Sequence, residues 1–503
     1  MNRAEETTAG SPVAGNSTAT DSSVDPASFR DPSGFVFWRN GQPYRQVNQV
    51  FAADWDAFVA SGLRDRLLDR ELLIPHEEAP SELSPDGQAW QLQRVEKLEF
   101  VSYPYEWTFG ELKDAALLTL DLQAAALECG LTLKDASAYN IQFRGCRPIL
   151  IDTLSFERAE PDAPWIAYRQ FCEHFLAPLA LMALRDARLG MLLREWLDGV
   201  PLDLASSLLP ASTWLRPGLA AHVRLHARAQ RRYADGGPGT DGTSPGRPRP
   251  TMSRQRQEAL LRSLRGAVEG LRWDPSGTEW ADYATNTSYS ERAESAKKRT
   301  VEGMLKAAGV TKGGTRPAGT RPAGTRPAGT RVWDLGANVG VYSAIAASVG
   351  ASVLAFDIDP AAAERHYRRL RADGQAAILP LVQDLANPSP GLGWAGRERR
   401  LLADRGPADV VMALALVHHL AIGRNVPLPM LSLFFAELAP AAIVEFVPKE
   451  DPMVRRLLAS RRDVFPDYTL EGFRRAFATD WDLAEEIPIE DSPRVLFRLH
   501  RHG

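Results

Sequence analysis

The segment 331–350, RVWDLGANVGVYSAIAASVG, constrains this chain more than any other stretch. Residues 331–335 form a short apolar run suited to a buried strand. Residues 342–349 read as a helix, and a glycine-rich turn joins the two. Glycine lets the backbone approach a ligand closely, and the helix start behind the turn presents unpaired N–H groups. The order of residues is D-x-G-x-N-x-G, with Asp334, Gly336, Asn338 and Gly340 at the marked positions. The dinucleotide fingerprint G-x-G-x-x-G is absent, because position 338 is Asn and the spacing differs. An acid at the end of the strand suits a ligand with cationic groups better than a pyrophosphate.

Strand and helix then alternate, which argues for a parallel sheet. Residues 352–356 make a second strand ending in Asp357, followed by Ile358, at the offset expected of a ribose-binding acid. Asp359 stands before Pro360 and a helix over 361–371, where it can cap the helix or touch a ligand. Residues 379–382 form the third strand and lead to Gln383 and Asp384. The fourth strand, 408–413, runs into LALVHHLAIG, which places His418 and His419 past its carboxyl end. Open α/β sheets bind ligands there. A histidine titrates close enough to neutrality to serve as a general base, although the pair could equally shape a pocket. Residues 441–446 are the fifth strand, with Glu445 and Lys449 expected near the pocket rim, facing substrate or water. Segments 481–487 and 494–499 suit a closing hairpin.

These motifs resemble class I S-adenosylmethionine-dependent methyltransferases over about half the chain. The resemblance implies a Rossmann-like, doubly wound, seven-stranded α/β sheet that binds S-adenosylmethionine. It places Asp334 near the amino-acid end of the cofactor, Asp357 on the ribose and Asp384 on the adenine amino group. Gly336, Asn338, Gly340 and Ile358 complete the expected cofactor set. In related enzymes a polar and aromatic segment before the sheet lids the cofactor, so Tyr289 in NTSYS joins the set, with core packing as its alternative. His418 and His419 are the candidate catalytic residues. No metal-ligand spacing is visible, so metal-independent in-line transfer is expected.

Two stretches punctuate the chain. DGGPGTDGTSPGRPRP, within an expected linker over 233–252, has almost nothing to bury and many turn formers. The tandem unit GTRPA over 314–331 is too short for a solenoid and reads as an expanded loop. The expected organisation is a disordered tail over 1–32, an α+β domain over 33–232, the linker, and the methyltransferase domain over 253–503. In the first half, LKDASAYNIQFRGCRPILIDTLSFE carries Asp135 and Asn140 at the spacing of a kinase catalytic loop, and Asp152 ends the following strand. This region weakly resembles a kinase-like lobe, which implies phosphotransfer if Asn140 and Asp152 hold Mg²⁺. Lys134 and Thr153–Leu154 depart from that pattern, and Asp135 and Asn140 could simply cap a turn. The LKDASAYN and ALALVHHL runs also resemble, distantly, bacterial methyltransferases related to a rhizobial nodulation protein.

The net charge of −4 and the lack of an NPPY-like segment argue against a nucleic-acid acceptor; a small molecule or glycan is expected, with a protein acceptor as the other class left open. The three cysteines form no metal or disulfide pattern, which suits a cytoplasmic protein. The apolar run 175–193 is broken by Pro178, Arg185, Asp186 and Arg188, so no membrane span is expected. A bifunctional methyltransferase with ATP-dependent phosphotransfer, and a non-catalytic cofactor-binding scaffold, are the alternatives.

Overall fold

The computed structural model describes residues 22–228, 251–276, 290–311, 329–459 and 462–503. The first half opens with an antiparallel sheet of β1 (Ser22–Val24), β2 (Gly34–Arg39), β3 (Gln42–Val47), β4 (His76–Ala79) and β5 (Gln91–Val95), in the order β1-β2-β3-β5-β4. The β2–β3 hairpin turns at Asn40 and Gly41, both with positive φ. Residues 22–25, expected to lie in a tail over 1–32, belong to the fold: Ser22–Val24 pairs with β2 and Trp38 donates to Asp25. Residues 1–21 lie outside the described residues, as do most of the linker and of the GTRPA repeat.

Helix α1 (Phe109–Glu128) is the spine of this half. Thr108 starts it through a capping box: its hydroxyl accepts from the Glu111 N–H, and the Glu111 carboxylate accepts from the Thr108 N–H. Beyond it, β6 (Leu131–Leu133) pairs with β9 (Phe156–Arg158), and β7 (Ile141–Arg144) forms a hairpin with β8 (Arg147–Leu150). Among the described residues no helix is long and apolar enough to cross a membrane.

The second half is built on one seven-stranded sheet: β10 (Arg331–Leu335), β11 (Ser352–Asp357), β12 (Ile378–Val382), β13 (Val410–Ala413), β14 (Ala441–Phe446), β15 (Trp481–Pro488) and β16 (Val495–Arg501). The order is β12-β11-β10-β13-β14-β16-β15. The first five strands are parallel, and β16 runs antiparallel to both its neighbours. Every residue of β14 is buried, as a strand covered on both faces requires. The winding reverses between β10 and β13, and that switch point is where such sheets open a crevice at their carboxyl ends.

The boundary between the halves differs from the sequence expectation. Helix α2 (Arg254–Glu269), assigned by sequence to the second domain, packs on α1 in the first. Arg265 pairs with Asp121, and Gln257 donates to the Ala163 carbonyl at 2.6 Å. Its apolar stripe, Leu261, Leu264 and Val268, says that it must dock but not on what. The sheet unit proper starts with α3 (Glu291–Ala307), capped by Ser290.

The two halves share one apolar core. Phe100 packs edge-on against Trp333 and Phe356, with ring centres 5.7 and 6.1 Å away. Helix α4 (Val341–Ser348) follows the glycine turn, and α5 (Pro360–Ala372) lies on α1. Across that contact the Tyr367 hydroxyl donates to Asp114 at 2.7 Å, and Glu364 accepts from the Gly110 N–H at 2.7 Å. The Arg405–Glu106 pair closes the seam with both side chains buried.

Candidate functional site

At the carboxyl ends of β10, β11, β12 and β13 lies a cavity of about 390 Å³. Asp334, Gly336, Asn338, Asp357, Ile358 and Asp384 all line it, so six of the eight cofactor residues read from the sequence meet at one place. Gly340 stands just behind the wall with a φ of +78°, and any Cβ there would overlap the ring of buried His366. That close approach, together with the left-handed backbone, is why the position takes glycine. Tyr289 falls outside the described residues.

The turn is pinned from below. The N–H groups of Gly336 and Ala337 both donate to the Phe356 carbonyl, each at 2.9 Å. Asp357 accepts from the Asn338 N–H at 2.7 Å and from the Asp359 N–H at 2.8 Å. One carboxylate thus fixes two loops and retains lone pairs for hydroxyl donors. Burial nevertheless raises its pKa to about 6. Asp334 accepts from the Ser343 hydroxyl at 2.6 Å, and burial, with Asp357 nearby, pushes its pKa up to about 7. Asp359 caps α5 by accepting from the Ala361 N–H. Asp384 caps its own turn at the Ala386 N–H and lies 3.5 Å from Arg424.

The two histidines separate. His419 lines the cavity, whereas His418 is fully buried and lies outside its lining. Their ring centres are 4.0 Å apart. Burial lowers both pKa values, that of His419 to about 4, so both rings are neutral at physiological pH. The sequence therefore overstated the pair: only one of the two adjacent positions faces the cavity.

Glu445, expected at the rim, is instead fully buried. It pairs with Lys297 at 2.6 Å and Arg494 at 3.4 Å, and Arg494 also grips Asp451 at 2.7 Å. Lys297 and Arg494 line the cavity, and Lys297 lies 4.8 Å above the ring of Tyr342, another lining residue. Sequence reading missed both cations. The signal was present for Lys297, which occupies the buried stripe Ala293–Lys297–Val301–Met304 of α3 and so needed an acid. Lys449 is tied to Asp463 at 2.7 Å, away from the lining.

In the first half the kinase-like triad is engaged within the fold. Asp135 accepts from the Ser137 N–H at 2.9 Å and from Gln170 at 2.7 Å. Asn140 lies 3.4 Å from the Ser155 hydroxyl. Asp152 is paired with Arg45 of β3 at 2.7 Å and accepts from Ser155 at 2.5 Å.

No family model matches the chain. Nodulation protein NoeA of Rhizobium meliloti (strain 1021) is 35% identical over 478 residues, covering 94% of this chain and 95% of that protein. Among solved structures, WbdD is 18% identical over 45% of this chain and 43% of its own, with a TM-score of 0.29. Magnesium protoporphyrin IX methyltransferase (ChlM) from Synechocystis PCC 6803, with bound SAM, is 16% identical over 45% of this chain and 86% of its own, TM-score 0.29. The N-methyltransferase NodS from Bradyrhizobium japonicum WM9 is 10% identical over 42% and 98%, TM-score 0.30.

Proposed function

This chain belongs to the family of the nodulation protein NoeA, and we propose that it is a methyltransferase using S-adenosylmethionine. The observation that carries the reading is the convergence of Asp334, Asp357 and Asp384, from the ends of three adjacent strands, on one cavity beside a glycine turn. Three acids with that spacing match the three polar ends of an adenosyl amino acid. Asp334 would take the α-ammonium, Asp357 the ribose hydroxyls and Asp384 the adenine amino group. The cofactor supplies a methyl on a positively charged sulfur, already reactive toward a nucleophile. What the chain adds is position, exclusion of water and, where the acceptor needs it, a place for a proton.

For that last task His419 is the group on the cavity wall, and its neutral ring can accept a hydrogen bond from an acceptor hydroxyl or amine. His418 is proposed only as packing beneath it. The acceptor is proposed to be a small molecule or glycan, which would enter over the first half.

Asp357→Ala should weaken binding of S-adenosylhomocysteine by at least ~1.5 kcal/mol in calorimetry, the scale for hydrogen bonds to a charged group; unchanged affinity would remove Asp357 from the site. With any acceptor that turns over, His419→Asn should cut kcat by about tenfold or more and leave cofactor affinity intact. His418→Asn should leave kcat near its normal value, and the reverse pattern would exchange the two roles. The phosphotransfer alternative gains nothing from the first half, where Arg45 already holds the acid that would bind Mg²⁺. A scaffold without catalysis would bind the cofactor yet methylate no acceptor.

A further inference from the structure

Residues 204–234 hold five arginines and no aspartate or glutamate, in a chain whose net charge is −4. The described part of that stretch ends in a helical turn, Ala211–Leu215, and a helix over 217–228. Trp214, Leu215 and Leu225 stand on the surface there, 42%, 86% and 52% exposed. Arg224 is buried behind them and fixes the preceding loop. It donates to the Ser206, Leu209 and Pro210 carbonyls at 2.6, 3.0 and 2.8 Å, and to the Thr213 hydroxyl at 2.9 Å. Its guanidinium lies 5.6 Å from the Trp214 ring centre, and that of exposed Arg228 lies 5.5 Å from the same ring. Arg185 donates to the Leu208 carbonyl at 2.6 Å, and exposed Arg216 follows Leu215.

The partners of these arginines are neutral oxygens and a ring. Among the described residues none of Arg185, Arg216, Arg224 and Arg228 pairs with a carboxylate. Four positive charges around three exposed apolar side chains call for a ligand that is anionic and apolar at once. A nucleic acid answers the charge, but an aliphatic Leu215 gains nothing from stacked bases. A second copy docked on the same face would set four arginines against four. An anionic bilayer answers both features: its headgroups attract arginine, and its interface receives tryptophan and leucine.

We propose that this face docks the chain on an anionic lipid surface. Trp214, Leu215 and Leu225 enter the headgroup boundary, while Arg185, Arg216 and Arg228 meet lipid phosphates. Arg224 holds the loop that presents them and adds its charge behind Trp214. The chain lies on the bilayer and does not cross it; among the described residues no helix is long and apolar enough to span. The proposal is independent of the cofactor reading.

The test is co-sedimentation of the full chain with phosphatidylcholine vesicles, with and without about one-third phosphatidylglycerol, in about 0.1 M salt. Wild type should bind the anionic vesicles at least about tenfold more tightly, and the difference should shrink in about 0.5 M salt. Arg216→Gln combined with Arg228→Gln should weaken binding to the anionic vesicles about tenfold or more. Leu215→Ser should weaken it about fivefold or more. All three side chains are exposed, so the melting temperature of each variant should match that of wild type. Equal binding to both kinds of vesicle, or to neither, overturns the proposal, as does wild-type binding in both variants. A loss with the arginines that leaves Leu215→Ser unchanged also overturns it, and marks a face for a soluble polyanion. Sedimentation without vesicles that Leu215→Ser abolishes overturns it in favour of contact between copies.

Discussion

Arg494→Ala is expected to destabilise the second half by about 3–5 kcal/mol, the scale for removing one partner from a buried ion pair. Arg494 is 1% exposed and bridges Glu445 and Asp451, themselves 0% and 2% exposed. Its loss takes the guanidinium from both Asp451 and Glu445 and leaves the Lys297 ammonium beside Glu445. Neither carboxylate can reach water without moving β14 or the 447–451 turn. The network joins α3, β14, the 451 turn and the β15–β16 turn around the cavity floor, so the damage should spread to cofactor affinity. Arg494→Lys should recover only part of the loss, because an ammonium cannot fork across both acids. Denaturant titration followed by intrinsic fluorescence reads the change. A cost below about 1 kcal/mol would mean that the surrounding apolar packing, not the ion pairs, fixes this end of the sheet.

What the sequence disclosed, and what it hid, follows from the range of each interaction. The β10–turn–α4 unit was legible because its signals are local: an apolar run, glycines at fixed spacing, a helix of small residues. The same holds for Asp357 and Asp384, which the strand–helix rhythm puts at carboxyl ends. Helix α2 was assigned to the wrong half because an amphipathic stripe does not name its partner. Its neighbour Asp121 lies 144 residues away from Arg265 in the chain. Glu445 was misplaced for a related reason. AAIVEF reads as a strand, but that its one acid points into the interior depends on Lys297, 148 residues earlier. A charged residue inside a strand covered on both faces was the available warning, and it should have been read as half of a buried pair. The histidines show the limit of a motif: the spelling VHH cannot say which ring turns outward.

The seam changes what the first half is for. Glu106, Asp114 and Gly110 bond directly to elements of the second half, and the apolar core runs through without a break. A linker rich in glycine and proline had suggested two separable units. The structure instead packs the first half against the sheet through α1 and α5, so the cavity-bearing half and the first half share one core.

The affinity for S-adenosylmethionine should rise steeply between pH 5 and 7.5. In the empty cavity, burial raises Asp334 to about 7 and Asp357 to about 6, so both hold a proton at pH 5. An α-ammonium and ribose hydroxyls call for carboxylates, so binding must expel those protons. Each proton expelled costs up to about tenfold in affinity per pH unit below the pKa of its group. Two units for Asp334 and one for Asp357 give a rise of about two to three orders of magnitude across the window, levelling above pH 7. Stability runs the opposite way in the empty protein. A folded-state pKa above the unfolded value stabilises fully below the ordinary carboxyl pKa, and that contribution is lost as pH rises through 6 and 7. The ligand should therefore raise the melting temperature more at pH 7.5 than at pH 5. Asp334→Asn should remove the rise between pH 6 and 7, halve the slope below pH 6, and keep the part that ends near pH 6. Ordinary aspartates would not titrate in this range, so a flat wild-type profile from pH 5 to 7.5 would show that neither acid is strained by burial. The ligand would then have to gain its affinity elsewhere in the cavity.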